Sequence, residues 1–203
     1  MRDKVKKGYE EGDYESDYRE GRDIREKERK LFNNLFKHLP ENSRILDLGC
    51  GTGLPFDRFL ADKGLEVLGV DISEKHVVQA RENVPGAEFV QGDFFDQDFE
   101  DGSFGAIVSF YAIFHIPREE HSRLFEKIRD WVQEEGAVLI TLGPEEMEMH
   151  KGEIGGQEML WSSYSPEKNL QLLREAGFEI IETYTENYRD ETHFWVFATP
   201  RER

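Results

Sequence analysis

Apolar and polar residues change their period several times along this chain, and the changes mark out its elements. Between residues 23 and 39, Ile24, Leu31, Leu35, Phe36 and Leu39 fall on one face at helical spacing, and Pro40 stops the pattern. Short apolar runs then alternate with amphipathic stretches. Residues 44–48 predict a strand, 54–63 a helix, 66–70 a second strand and 74–83 its following helix. Pro85 and Gly86 break the chain before a third strand at 87–91. The run 104–110, centred on Ala106, Ile107 and Val108, predicts a strand buried on both faces. A helix over 118–132 and an apolar strand over 136–142 come next. Ser165 caps a further helix that has Pro166 at its first position and ends at Gly177. The closing strands, 179–185 and 192–199, are joined so tightly that they predict a hairpin.

This alternation is the pattern of an α/β fold, a parallel sheet with crossover helices and an antiparallel edge. Two stretches do not fit it. The first thirty residues are densely charged, with Tyr9, Tyr14 and Tyr18 at roughly helical intervals. Residues 144–164 show no clear period and contain Gly152, Gly155 and Gly156, so they predict a lid or binding loop.

Composition narrows the setting. A chain of 203 residues with 37% apolar and 12% aromatic residues is enough for one well-buried core. Its formal charge of -17 repels phosphate backbones and anionic lipid, which argues against nucleic-acid and membrane partners. No run has the length of a membrane span, and the start has no apolar signal core, so the expectation is a cytoplasmic protein. Cys50 stands alone, with no second thiol for an internal disulfide or a structural zinc site.

The chemistry concentrates in "ILDLGCGTG", where Gly49, Gly51 and Gly53 follow a strand that carries Asp47. Glycine admits positive φ and lets a ligand reach the backbone. Twenty residues after Gly51, Asp71 closes the next strand, where a carboxylate can accept bonds from ribose hydroxyls. A dinucleotide turn needs G-x-G-x-x-G, whereas here the third glycine falls one residue early. Asp47 would also oppose a pyrophosphate but suit the ammonium of an amino acid. Both features favour S-adenosylmethionine over NAD, and an NAD(P) oxidoreductase fails on this register.

"ILDLGCGTG", with "GVDIS", "QGDFF" and "FGAIVSFYAIFHI" after it, resembles the class I S-adenosylmethionine-dependent methyltransferases over residues 41–142. The likeness is to the small-molecule branch that includes ubiquinone/menaquinone-type enzymes. It implies a Rossmann-like, seven-stranded, mostly parallel sheet with helices on both faces and an antiparallel C-terminal hairpin strand. It also implies a helical cap over the cofactor site at 1–40 and the methyltransferase domain at 41–203. Gly49, Gly51 and Gly53 would line the methionine and ribose, Asp47 would orient the methionine end and Asp71 would bind the ribose. Ile72 would pack on the adenine, Asp93 would take its amino group beside Phe94, and Ser109 would face the methionyl portion. Tyr14 and Tyr18 resemble an N-terminal element that folds over the cofactor.

Methyl transfer is an in-line displacement that needs positioning more than it needs a metal or a covalent intermediate. Should the acceptor lose a proton, His115, just past a strand end, is the candidate base. Tyr111, Met159, Trp161 and Tyr164 are candidates for the acceptor pocket, with Ser162 among them, and a hairpin packed against the sheet is the alternative for residues 155–164. The acidic residues and His150 between 145 and 153 lack ligand spacing, so no metal is expected. Nucleic-acid amino-methyltransferases carry Asn or Asp and then Pro-Pro-aromatic after the fourth strand; here Ser109, Phe110, Tyr111 and Ala112 stand there. The expected partner is a small-molecule acceptor, with the chain a monomer or homodimer. A protein or peptide methyltransferase and a non-catalytic S-adenosylmethionine-binding module remain the alternatives.

Overall fold

A computed structural model describes residues 1–12, 22–40, 42–188 and 191–201. Helix α1 (Arg2–Glu11) and helix α2 (Glu26–Lys37) come first. Strand β1 (Arg44–Leu48), helix α3 (Phe56–Ala61), strand β2 (Glu66–Asp71), helix α4 (Glu74–Asn83) and strand β3 (Glu88–Gln91) form the first half of the sheet. The second half has β4 (Phe104–Ser109), α5 (His121–Trp131), β5 (Val132–Leu142), a hairpin of β6 (Met147–Ile154) and β7 (Gln157–Ser163), α6 (Pro166–Glu175), and the strands β8 (Phe178–Tyr188) and β9 (Glu191–Pro200).

The sheet has seven strands in the order β3-β2-β1-β4-β5-β9-β8. The first five pair in parallel, and β9 runs antiparallel to both neighbours. The order reverses between β1 and β4, which opens a crevice at their carboxyl ends, where open α/β sheets bind ligands.

Period-2 alternation sorts the apolar side chains onto two faces. Ile45, Ala106, Leu139, Trp195 and Phe197 face one side, packing with Leu31, Phe32 and Leu35 of α2 and Phe56 and Leu60 of α3. Leu46, Ile107, Val138, Ile140 and Val196 face the other, where α5 contributes Leu124, Phe125 and Ile128. Each face is therefore covered by helices, as continuously apolar strands require.

Two segments differ from the sequence reading. Residues 147–163 form the hairpin β6–β7, with Lys151 opposite Leu160 and Gly152 opposite Met159, so the hairpin alternative holds over the lid or loop, but as a separate two-stranded sheet. Its period is hidden because most of β6 is solvent-exposed while β7 buries Met159 and Leu160. The second is α1: a helical cap is expected over 1–40, but not its docking, and α1 packs on β7 through Val5 and so adds a small core beside Met159 and Leu160.

Phe32 is fully buried at the centre of an aromatic cluster, with ring centroids 5.2 Å from Phe59, 5.6 Å from Phe110 and 6.0 Å from Phe56. Phe32→Ala removes the shared partner of all three. It should lower unfolding free energy by about 3–5 kcal/mol, read as a lower urea midpoint at unchanged slope.

Candidate active site

The turn after β1 is built to be both tight and bare. Gly49 (φ +85°) and Gly51 (φ +56°) occupy the left-handed region. A Cβ on Gly49 would lie 2.2 Å from the Ala112 Cβ, so that glycine permits close packing. A Cβ on Gly51 would meet nothing within 4 Å, because the residue borders an open cleft. Gly53 faces Val84 and Ala80, on the packing side of the turn. The Gly49 N–H donates to the Val70 carbonyl at 2.7 Å, and the Gly51 N–H donates to Asp71 Oδ2 at 2.8 Å.

The cleft is partly open, with about 730 Å3 of space between its walls, solvent at its mouth included. Of the residues expected to form a site, Asp47, Gly49, Gly51, Asp71, Ile72, Asp93, Phe94, Tyr111 and His115 all line it. Gly53 and Ser109 stand behind the wall; Ser109 is fully buried and donates to the Leu48 carbonyl at 2.6 Å. Trp161 lies behind His115, with ring centroids 5.5 Å apart. Met159 sits in the small core under α1, and Tyr164 packs against the main core beside Arg118. Tyr14 and Tyr18 lie outside the described residues.

Three carboxylates face this space, against a single arginine or lysine among the described lining residues, Arg2. Burial opposes the Asp71 charge, but His76 and the N–H groups of Ser73 and Gly51 outweigh it and hold the carboxyl below its ordinary range. Asp57, fully buried under the turn, moves the other way. Burial and the neighbouring Asp47 push its carboxyl well above the usual range, so it is neutral beside its charged neighbour. Burial also raises Asp93, against the pull of the Phe95 N–H and of Arg2, which pairs with it.

These groups decide what the cleft can hold. The Gly51 N–H, which in a phosphate-binding turn would face the ligand, is already bonded to Asp71. A pyrophosphate would meet Asp47 and Asp71 with no backbone donor from Gly51. A sulfonium, an ammonium and ribose hydroxyls are matched by the same carboxylates, and the bare edge of Gly51 leaves room for them. The site therefore fits S-adenosylmethionine.

His115 is buried at the opposite wall. Its Nδ1 lies 2.8 Å from the Leu160 carbonyl, which fixes the proton there, so Nε2 accepts from the Tyr9 hydroxyl at 2.9 Å. Burial lowers the imidazole to about 4, against the Leu160 bond and the Asp71 charge, and it is neutral near pH 7. Tyr9, from α1, was not singled out by sequence; its spacing with Tyr14 and Tyr18 was the available signal, and the resemblance pointed to the later pair. Arg2 and His76 were missed as well, since a charged helix and a helix N-terminus give no ligand pattern.

Tyr111 holds an unusual backbone conformation for a bulky residue, φ 63°. Its hydroxyl accepts from Arg25 at 2.9 Å and Arg22 at 3.1 Å. Burial, helped by Glu28, pushes this phenol up to about 12 against the two arginines. It is a neutral wall group and not a base. Cys50 is buried, and its thiol is raised by burial and by Asp57, Asp71 and Asp47, which removes it as a nucleophile.

Residues 45–136 match the family described as a methyltransferase domain. The chain is 32% identical over 116 residues to a phosphoethanolamine N-methyltransferase of Plasmodium falciparum, covering 56% of this chain and 43% of that one. It is 27% identical over 175 residues to a Bacillus subtilis protein described as a putative methyltransferase, covering 76% and 67%. Against the first of these it thus spans less than half of the relative's length. Among solved structures, a putative S-adenosylmethionine-dependent methyltransferase from Listeria monocytogenes superposes with a TM-score of 0.70 at 20% identity, covering 85% of this chain and 98% of that one. A Burkholderia thailandensis 1,6-didemethyltoxoflavin N1-methyltransferase, solved with S-adenosylhomocysteine bound, gives 0.69 at 17%, covering 86% and 78%.

The two buried imidazoles set an acid limit on stability. Burial lowers His121 to about 4, as it does His115, while each stands at 6.5 when exposed. Below pH 6.5 the unfolded chain therefore binds protons that the folded chain refuses. Their contribution is complete above about 6.5, falls by a few kcal/mol in all as pH drops to about 4, and changes no further below that. Urea titrations from pH 7.5 to 4 should show this slope, and it should flatten in the His115→Gln, His121→Gln double variant.

Proposed function

We propose that the chain transfers a methyl group from S-adenosylmethionine to a small organic acceptor; residues 45–136 match a methyltransferase domain family, and the fold is shared with solved S-adenosylmethionine-dependent methyltransferases. The observation that carries this reading is the charge and shape of the cleft: carboxylates without a phosphate-binding turn, covered by α1, which rests on β7. An acceptor that reaches His115 has to fit beneath Tyr9, which favours a small molecule over a protein side chain on a bulky backbone. The curated relatives include a phosphoethanolamine N-methyltransferase and sterol C-methyltransferases, so nitrogen and carbon acceptors both occur among them. The ubiquinone/menaquinone-type branch is part of this proposal, resting on the motif resemblance alone.

The cofactor, when bound, supplies a methyl group already activated on a sulfonium. In this reading Asp47 orients its ammonium, with neutral Asp57 as the partner that limits the local charge to one. Asp71 takes the ribose hydroxyls, and Ile72, Phe94 and Asp93 surround the adenine. Gly49, Gly51 and Gly53 give the turn its shape, and Ser109 holds the end of β1 through Leu48. Residues 1–40 act as the cap, and among the described residues of that stretch α1 lines the cleft. Tyr111 forms the acceptor-side wall, with Trp161 behind His115.

His115 Nε2 is the one neutral imidazole lone pair that α1 presents with a hydroxyl. Rotation of Tyr9 frees it for the acceptor. At about 4 it is a weak base, so it takes a proton only once the acceptor has become acidic by gaining the methyl group. Proton removal is then late, and orientation supplies most of the rate.

Calorimetry should show S-adenosylhomocysteine binding where NAD does not, and Gly51→Ala should abolish that binding while costing about 1–2 kcal/mol of stability at its left-handed position. Labelled cofactor with a metabolite panel should give a labelled small product, whereas label confined to protein in an extract would reverse the choice of acceptor. With the acceptor in hand, His115→Ala should lower kcat about tenfold, less than for a base acting in the transition state, with KM for the cofactor unchanged. Near-full turnover at saturating acceptor would remove the base role.

A further inference from the structure

His76 is a cleft residue with no role in the reading above. It stands in the first turn of α4, is 3% exposed, and lines the cleft beside Asp71. Its Nδ1 lies 3.6 Å from Asp71 Oδ1, the oxygen that also accepts the Ser73 N–H at 2.9 Å. The other oxygen, Oδ2, is held by the Gly51 N–H at 2.8 Å. The ring itself has little freedom. Its backbone N–H donates to Ser73 Oγ at 3.2 Å, and the Tyr9 ring of α1 packs against it with centroids 5.1 Å apart.

A carboxylate that accepts one N–H on each oxygen still has unused lone pairs, and their direction depends on how the plane of the group is turned. Two backbone donors from different segments fix its ends. A third group is needed to set the tilt and to offset the loss of water around a buried charge. Besides those N–H groups, His76 is, among the described residues, the side chain that favours the charged form of Asp71.

We propose that His76 is a positioning residue for the cofactor, holding the Asp71 carboxylate turned so that its remaining lone pairs meet the ribose hydroxyls. The assignment rests on the reading of the cleft as an S-adenosylmethionine site. The requirement is a nitrogen donor at the place of Nδ1. Asparagine supplies an amide nitrogen at similar reach from the backbone, and phenylalanine supplies the ring without a donor.

Calorimetry with S-adenosylhomocysteine and with its 2′,3′-dideoxy analogue tests this. The natural protein should favour the hydroxylated ligand by about tenfold, the scale of one hydrogen bond to a charged group. His76→Phe should weaken S-adenosylhomocysteine about tenfold and leave the dideoxy analogue nearly unchanged, so the preference disappears. His76→Asn should keep affinity within about threefold of the natural protein. Loss of packing alone would weaken both ligands together and leave their ratio intact, which would overturn the assignment, as would an Asn variant no better than Phe. A natural protein that binds neither ligand would remove the reading of the cleft itself; one that binds both while His76→Phe keeps their ratio removes His76 alone.

Discussion

The bond from the Gly51 N–H to Asp71 Oδ2 ties the turn after β1 to the end of β2, and the shape of the cleft depends on it. It joins residues twenty positions apart at the carboxyl ends of adjacent parallel strands. Parallel pairing alone fixes the register of those strands but not the path of the loop above them. The left-handed conformation at Gly51 points its N–H sideways toward Asp71, and only a residue without Cβ does so while leaving the space above it clear. The same bond removes a backbone donor from the set that could meet a phosphate, so the Asp71 side chain acts twice on the choice between cofactors, by its charge and by taking that donor.

Burial then divides the titratable groups by sign and partner. Asp71, with donors on both oxygens, stays charged; Asp57, with Asp47 beside it and fully buried, becomes neutral. Two adjacent carboxyls in low dielectric cannot both ionise at modest cost, so the pair carries one charge. That single charge is what a lone ammonium needs. His115 follows the same rule with opposite polarity, since burial removes its proton and leaves Nε2 as an acceptor.

Much of the sheet was legible because its strands are continuous apolar runs with helices between them. The carboxyl ends of β1, β2 and β4 could therefore be located, and with them Asp47, Asp71 and His115. Strand ends were less sharp. Helix α3 spans only Phe56–Ala61 within the expected 54–63, and β5 starts at Val132, four residues before the apolar run that marked it. What sequence pattern could not supply was α1 and the hairpin, which bury apolar surface mainly against each other. Of the ten residues of α1, Val5 and Gly8 are buried, and β6 is largely exposed, so neither segment has the broad apolar stripe on which periodicity depends. Tyr9 and Arg2 reach the cleft only because that mutual packing exists.

The contacts of α1 explain how so polar a helix is placed accurately. A Cβ on Gly8 would lie 2.3 Å from Met159 Sδ, so the helix sits against β7 at a distance that an ordinary side chain would forbid without displacing the methionine. Around that contact the helix is pinned at both ends by polar groups. Arg2 pairs with Asp93 and Glu120, while Glu10 accepts the Glu74 N–H at 2.7 Å and Lys75 donates to the Gly12 carbonyl at 2.8 Å. Surface ion pairs of this kind contribute about 0–1 kcal/mol each and are weakened by salt. The apolar area under α1 is also small, Val5 against Met159 and Leu160 with Met1, Tyr9, Ile154 and Trp161 partly buried around them. A segment held by weak charged contacts and a minor core belongs to the low-stability end of a structure, where local opening costs far less than unfolding.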